Sequence, residues 1–224
     1  MKTIKIIDAL HLDETGVKAK TKNGRLQLVH LRQGDLDGAC AVYSTMMILI
    51  LIKAVNYIDV ICGGKKHIKT IGKGRLVKEF METKGLHRDG NYFYDIKAQN
   101  IKTMLQRSFA SFVSSEHYDY RDFDSVQFIS EQILLNQPVL IKICFNANSG
   151  HALVAIGIEY NEQNEPTKIL CLDPGYAAPK FSYWNSVIDL KPDKMKGKYN
   201  FRNITETGDC QNVQLQDVLI ITKK

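Results

Sequence analysis

At Asn136 the residue texture of the chain changes, and that change restricts the folds open to it more than any other feature. Before it, residues 98–113 and 124–136 carry apolar side chains at three- and four-residue spacing, the repeat of a helix with one face turned to a core. Residues 75–84 read as a further helix, and residues 39–56 suit a buried one. After Asn136 come "PVLIKICF" (138–145), "HALVAIGIEY" (151–160) and "TKILCLDPG" (167–175), short β-rich runs. "NANSG" and "NEQNEP" between them read as hairpin loops, and the C-terminal "NVQLQDVLIITKK" reads as one more strand. Helices first and an antiparallel sheet later make an α+β chain.

With 224 residues, 44% of them hydrophobic, the chain is long enough for a real core and short enough for one domain spanning 1–224. Its longest unbroken apolar run, Met46 to Ile52, is far below the roughly 20 residues that a membrane-spanning helix needs, so no membrane association is expected. Asp8 interrupts the apolar stretch of the N-terminus and no small-residue cleavage site follows, which argues against a signal peptide. Five cysteines (Cys40, Cys62, Cys144, Cys171, Cys210) form an odd set with no CxxC pair, as expected of reduced thiols in a cytoplasm. Secretion by a specialised route stays open. None of the cysteines has a His or Cys at metal-ligand spacing, so neither metal nor cofactor is expected.

The net charge of +6 is concentrated in residues 53–91, where nine Lys/Arg face four Asp/Glu. Such a surface can attract an acidic partner. Its densest part, "GGKKHIKTIGKGR", is not a phosphate loop, because Gly72-Lys73 is followed by glycine and has no glycine five residues earlier. It also lacks interleaved aromatics, and nucleic acid is not the expected partner.

Cys40 falls in the first turn of the helix expected over residues 39–56, with Asp37 and Gly38 at its start. There the positive end of the helix dipole favours the thiolate, the nucleophilic form. A nucleophile needs a base, and the base a group to orient it. His151, at the start of one strand, and Asp173, at the end of the next, are the candidates, since neighbouring antiparallel strands can bring them together. Cys62, Cys144, Cys171 and Cys210 are read as structural. His11, His30, His67, His87 and His117 stand in no such arrangement. Trp184 is a candidate shield for the His151–Asp173 pair, and Asn185 an alternative orienter.

"QGDLDGACAVYS", "SGHALVAIGIEY" and "ILCLDPG", with "FSYWNS" after it, resemble the papain-like cysteine peptidases. The likeness runs from Gln33 to about Trp184 and is to the bacterial branch similar to bacteriocin-processing, double-glycine leader peptidases. It implies a papain-like fold, in which the helix bearing the cysteine packs on a C-terminal antiparallel sheet. It also implies that Cys40 is the nucleophile, His151 the base and Asp173 its orienter. Gln33 would then join the Cys40 backbone N–H in an oxyanion hole. The implied reaction is hydrolysis of a protein or peptide amide bond, or of an isopeptide bond, through a thioester. Two other readings are acyl transfer by the same triad, as in transglutaminases and arylamine N-acetyltransferases, and a silent papain-like module that docks a partner through residues 53–91.

Overall fold

The computed structural model describes residues 2–33, 39–63, 73–81, 98–119, 124–146, 149–192 and 198–224. The first part holds β1 (Thr3–Ile6), β2 (Leu10–Asp13), β3 (Gly16–Lys20), β4 (Leu26–Leu28), α1 (Cys40–Leu51), α2 (Tyr57–Gly63), α3 (Lys73–Met81) and α4 (Ala98–Ser108). The second holds β5 (Val113–Asp119), α5 (Ser125–Leu134), β6 (Val139–Asn146), β7 (Ser149–Tyr160), β8 (Pro166–Leu172), β9 (Ser186–Asp189), β10 (Phe201–Thr205) and β11 (Cys210–Lys223). Helices and antiparallel strands are both present, but among the described residues the strands predominate and four of them precede the first helix, so the order of helices first and sheet later does not hold. None of these helices is long and apolar enough to cross a membrane.

From β6 to β11 each strand pairs antiparallel with the next, and β11 then pairs with β6, so the six close into a ring. The sheet expected from the sequence is thus a barrel. The register slips within the β6–β7, β7–β8 and β6–β11 pairings, and the bulges behind such slips give strands the bend that closure demands. On the second half of β7, β1 takes the flank that β6 occupies on the first half; β5 likewise extends β11. A separate meander, β2-β3-β4, lies against α1 through β3.

The run Ala152–Ile158 of β7 is buried at every position, which a strand achieves only when both its faces are covered. Against it, and against β6, lies α1. Apart from Cys40 and Tyr43 this helix is buried throughout, and a helix apolar all round belongs inside a core. Each of its fully buried Ile and Leu side chains contributes about 1.5–3 kcal/mol of transfer free energy. Ser44 Oγ also donates to the Ala152 carbonyl at 3.0 Å, fixing helix to strand beside His151.

The helix expected over 39–56 stops at Leu51. Lys53 turns to φ 60°, and the N–H groups of Ala54 and Val55 fold back onto the Leu49 carbonyl. The helix expected over 98–113 stops at Ser108, and the residues from Val113 become β5, whose ladder with β11 outweighs the local helical repeat. The start signal at Asp37 and Gly38 and most of the basic loop at 63–75 lie outside the described residues.

Candidate active site

Cys40 is the first residue of α1, and Ala39 at the N-cap makes no side-chain capping bond. One turn on, Ser44 ties the helix to Ala152, the neighbour of His151, so the thiol and the imidazole meet and hydrogen-bond. Burial pushes the Cys40 thiol up, but the hydrogen bond and charge of His151, with the N–H groups of Ala152 and Ala41, outweigh it and hold the thiol below its ordinary 9.0. Burial pulls His151 down, and its bonds to Asp173 and Cys40 more than reverse this, raising it to about 10. Both shifts favour the thiolate–imidazolium form of the pair.

Asp173 follows the end of β8 directly and is fully buried. His151 Nε2 donates to its Oδ1 at 2.6 Å, which leaves Nδ1 as the ring nitrogen for the thiol. The same oxygen accepts the Gly175 N–H at 2.7 Å, while Oδ2 has no partner among the described residues. Gly175 must be small: a Cβ there would lie 3.1 Å from Asp173 Oδ1 and 3.5 Å from His151 Nε2.

Gln33 is held by its backbone, N–H to the Pro174 carbonyl at 2.9 Å. It lines a cleft of about 330 Å³ with His151 and Asp173, and Phe145, Tyr176 and Asp209 are among the other walls. Its side-chain Oε1 is buried without a partner. Gln33, His151 and Asp173 thus border one cleft; Cys40 is not among its lining residues and joins them through its hydrogen bond to His151. Asp35 and Asp37, ahead of Cys40, lie outside the described residues.

Of the other cysteines, Cys171 is fully buried, and burial raises its thiol well above the ordinary value. Cys144 Sγ lies 2.6 Å from Gln216 Oε1, Cys210 is exposed, and the Cys62 side chain is outside the described residues. Trp184 is half-buried and packs against the core, and it is not among the residues that line the cleft. Asn185 does not reach the imidazole. It grips the backbone of Asp173, and His30, which the sequence left without a role, donates to the same carbonyl. Neither contact carries a sequence signal, because both are made to main-chain atoms more than ten residues away.

No family model matches the chain, and neither does any curated protein. Among solved structures it is similar to UfSP from C. elegans, with 13% identity over 99% of this chain and a TM-score of 0.44; the chain spans 34% of the length of that structure. What carries the chemistry is the arrangement of Cys40, His151 and Asp173 rather than this likeness.

Proposed function

We propose that the protein is a papain-like cysteine peptidase or isopeptidase that cleaves an amide bond of a protein or peptide. The observation that carries this reading is the unbroken hydrogen-bonded line from Cys40, at a helix N-terminus, through His151 to the buried carboxylate of Asp173. Such a line supplies nucleophile, proton carrier and orienter together.

In the mechanism that follows, the Cys40 thiolate attacks the carbonyl carbon, and the carbonyl oxygen takes up the negative charge. The Cys40 N–H and the Gln33 side-chain amide are its donors, each worth about 10²–10³ in rate. Collapse breaks the C–N bond, and the His151 imidazolium gives its proton to the departing amine. Neutral His151 then takes a proton from water, the hydroxide attacks the thioester, and the C–S bond breaks to release a carboxylic acid and restore the thiolate–imidazolium pair. Asp173 keeps Nε2 protonated throughout, so that Nδ1 faces the reacting atoms.

The test is mass analysis of peptide mixtures and folded proteins incubated with the enzyme, with and without millimolar primary amine. New carboxylate ends that vanish in Cys40→Ala and His151→Ala support hydrolysis. Amine adducts as the main product reject hydrolysis in favour of acyl transfer, and products unaffected by Cys40→Ala reject cysteine chemistry altogether.

A further inference from the structure

The segment Asp173–Ala177 carries three parts of the site on five residues. Asp173 holds the imidazole, the Gly175 N–H shares the same carboxylate oxygen, and the Pro174 carbonyl accepts the N–H of Gln33. Pro174 has no N–H and this segment is not a strand, so the regular ladder that fixes β8 stops at Leu172. Something else must hold the backbone that follows.

Asn185 does so with every hydrogen-bonding valence that faces the segment. Its Oδ1 accepts the Asp173 N–H at 2.7 Å, and its Nδ2 donates to the Asp173 and Ala177 carbonyls, each at 2.9 Å. This network fixes the orientation of the amide, since the opposite one would set oxygen against two carbonyl oxygens. Asn185 is itself held at both ends, its N–H on the Cys171 carbonyl and its carbonyl on Glu206, and it is 1% exposed. From the other side His30 Nε2 reaches the Asp173 carbonyl at 2.9 Å. Asn185 Nδ2 also lies 3.2 Å from this nitrogen, but its two hydrogens go to the Asp173 and Ala177 carbonyls, and the Asp173 oxygen only accepts, so Nε2 carries the proton. Burial pulls the His30 imidazole down, in keeping with a neutral ring. His30 and Gln33 therefore bind Asp173 and Pro174 in turn, joining the strand of chain before α1 to the segment after β8.

Resting on the function proposed above, we infer that Asn185, backed by His30, is the positioning residue of this site: by gripping the backbone of 173–177 it sets both the carboxylate that orients His151 and the Gln33 donor. It touches neither the thiol nor the cleft's reacting groups, and it acts through main-chain atoms alone. Its amide is buried at the expense of its own hydration, which is recovered only because three backbone groups of one segment converge on it.

The experiment needs no substrate. The rate of Cys40 alkylation by iodoacetamide is followed by mass spectrometry from pH 4 to 11 in wild type, Asn185→Ala, His30→Leu and His30→Gln, with Ser186→Ala as a control for a buried neighbour with its own hydrogen bond. Loosening Asp173 weakens the imidazolium, so the acid limb of the profile moves up. At a fixed pH on the acid limb of the wild-type profile the rate falls about five- to tenfold in Asn185→Ala, the equivalent of roughly one lost hydrogen bond. The alkaline plateau stays. His30→Leu moves the limb in the same direction, His30→Gln, which keeps a donor in reach, moves it back, and Ser186→Ala leaves it in place. In an Asp173→Ala background, Asn185→Ala adds no further shift, because the effect runs through Asp173. A folded Asn185→Ala or His30→Leu protein with lowered melting temperature and an unmoved limb reduces these residues to structural ones and overturns the inference, as do additive shifts in the double variant. A wild-type Cys40 with no reactive acid limb instead takes down the cysteine-enzyme reading itself.

Discussion

Removing the imidazole of His151 strands a buried charge, and the consequence is measurable as stability rather than activity. Asp173 is fully buried, and its carboxylate has two hydrogen-bond donors, His151 Nε2 and the Gly175 N–H, both on Oδ1. In His151→Ala only the glycine N–H remains. Breaking a buried pair by deleting one partner costs about 3–5 kcal/mol. For a chain of 150–250 residues each kcal/mol moves the melting temperature by about 2–4 °C, so His151→Ala should melt roughly 6–20 °C below wild type near neutral pH. Asp173→Asn removes the charge while keeping the shape, and the double variant His151→Ala/Asp173→Asn should regain about half of the loss or more. Because His151 is raised from 6.5 to about 10 in the folded protein, the stability it contributes is complete below about pH 6.5 and disappears as pH rises through about 10. The gap between wild type and His151→Ala should therefore narrow from about pH 6.5 upward and level off above about 10. Thermal melts by circular dichroism at several pH values measure all of this. A double variant no more stable than His151→Ala would show that the penalty is a packing loss and not an unpaired carboxylate.

Two substitutions separate the parts of the site. Gly175→Ala places a methyl group 3.1 Å from Asp173 Oδ1, tighter than carbon ordinarily approaches oxygen, so either the carboxylate or the loop must give; we expect the carboxylate to give and the acid limb of Cys40 alkylation to move up, and an unshifted profile would show that the loop yields instead. Gln33→Ala should lower peptide turnover by about 10²–10³ while leaving iodoacetamide labelling of Cys40 untouched, since alkylation creates no oxyanion; equal losses in both assays would assign Gln33 a structural task.

How far the sequence foretold this arrangement differs from part to part. Strands β6, β7, β8 and β11 were legible because their burial writes itself as long runs of Val, Ile and Leu, and Cys40 at a helix start was legible because the residues Asp37 and Gly38 stand in the sequence just ahead of a long apolar run. The order Cys40, His151, Asp173 along the chain marked the groups, though not their distances. The ring closure was hidden: β9 has four residues and β10 is the polar run "FRNIT", so neither shows a pattern, yet both are required to connect β8 to β11. The N-terminal strands were passed over for the same reason, being short and broken by turns. Asn185 and His30 could be noticed as residues but not given partners, because their bonds go to backbone atoms that any residue at 173 or 177 would present. Gly175 looked like an ordinary turn glycine, and only the structure reveals the oxygen beside it.

Closure of the ring by β11 on β6 also sets an order in time. His151 stands on β7, β7 pairs with β6, and the other edge of β6 pairs with β11, which follows the other five strands of the ring along the chain. While the ribosome is still making residues 210–223, the five preceding strands form at most an open sheet with two bare edges, the state in which nascent β-proteins stick to one another. Contacts between strands so far apart along the chain also form slowly. Chaperone dependence during synthesis should accordingly end abruptly once β11 has emerged and closed the ring, and a reactive Cys40 should appear at that moment rather than gradually.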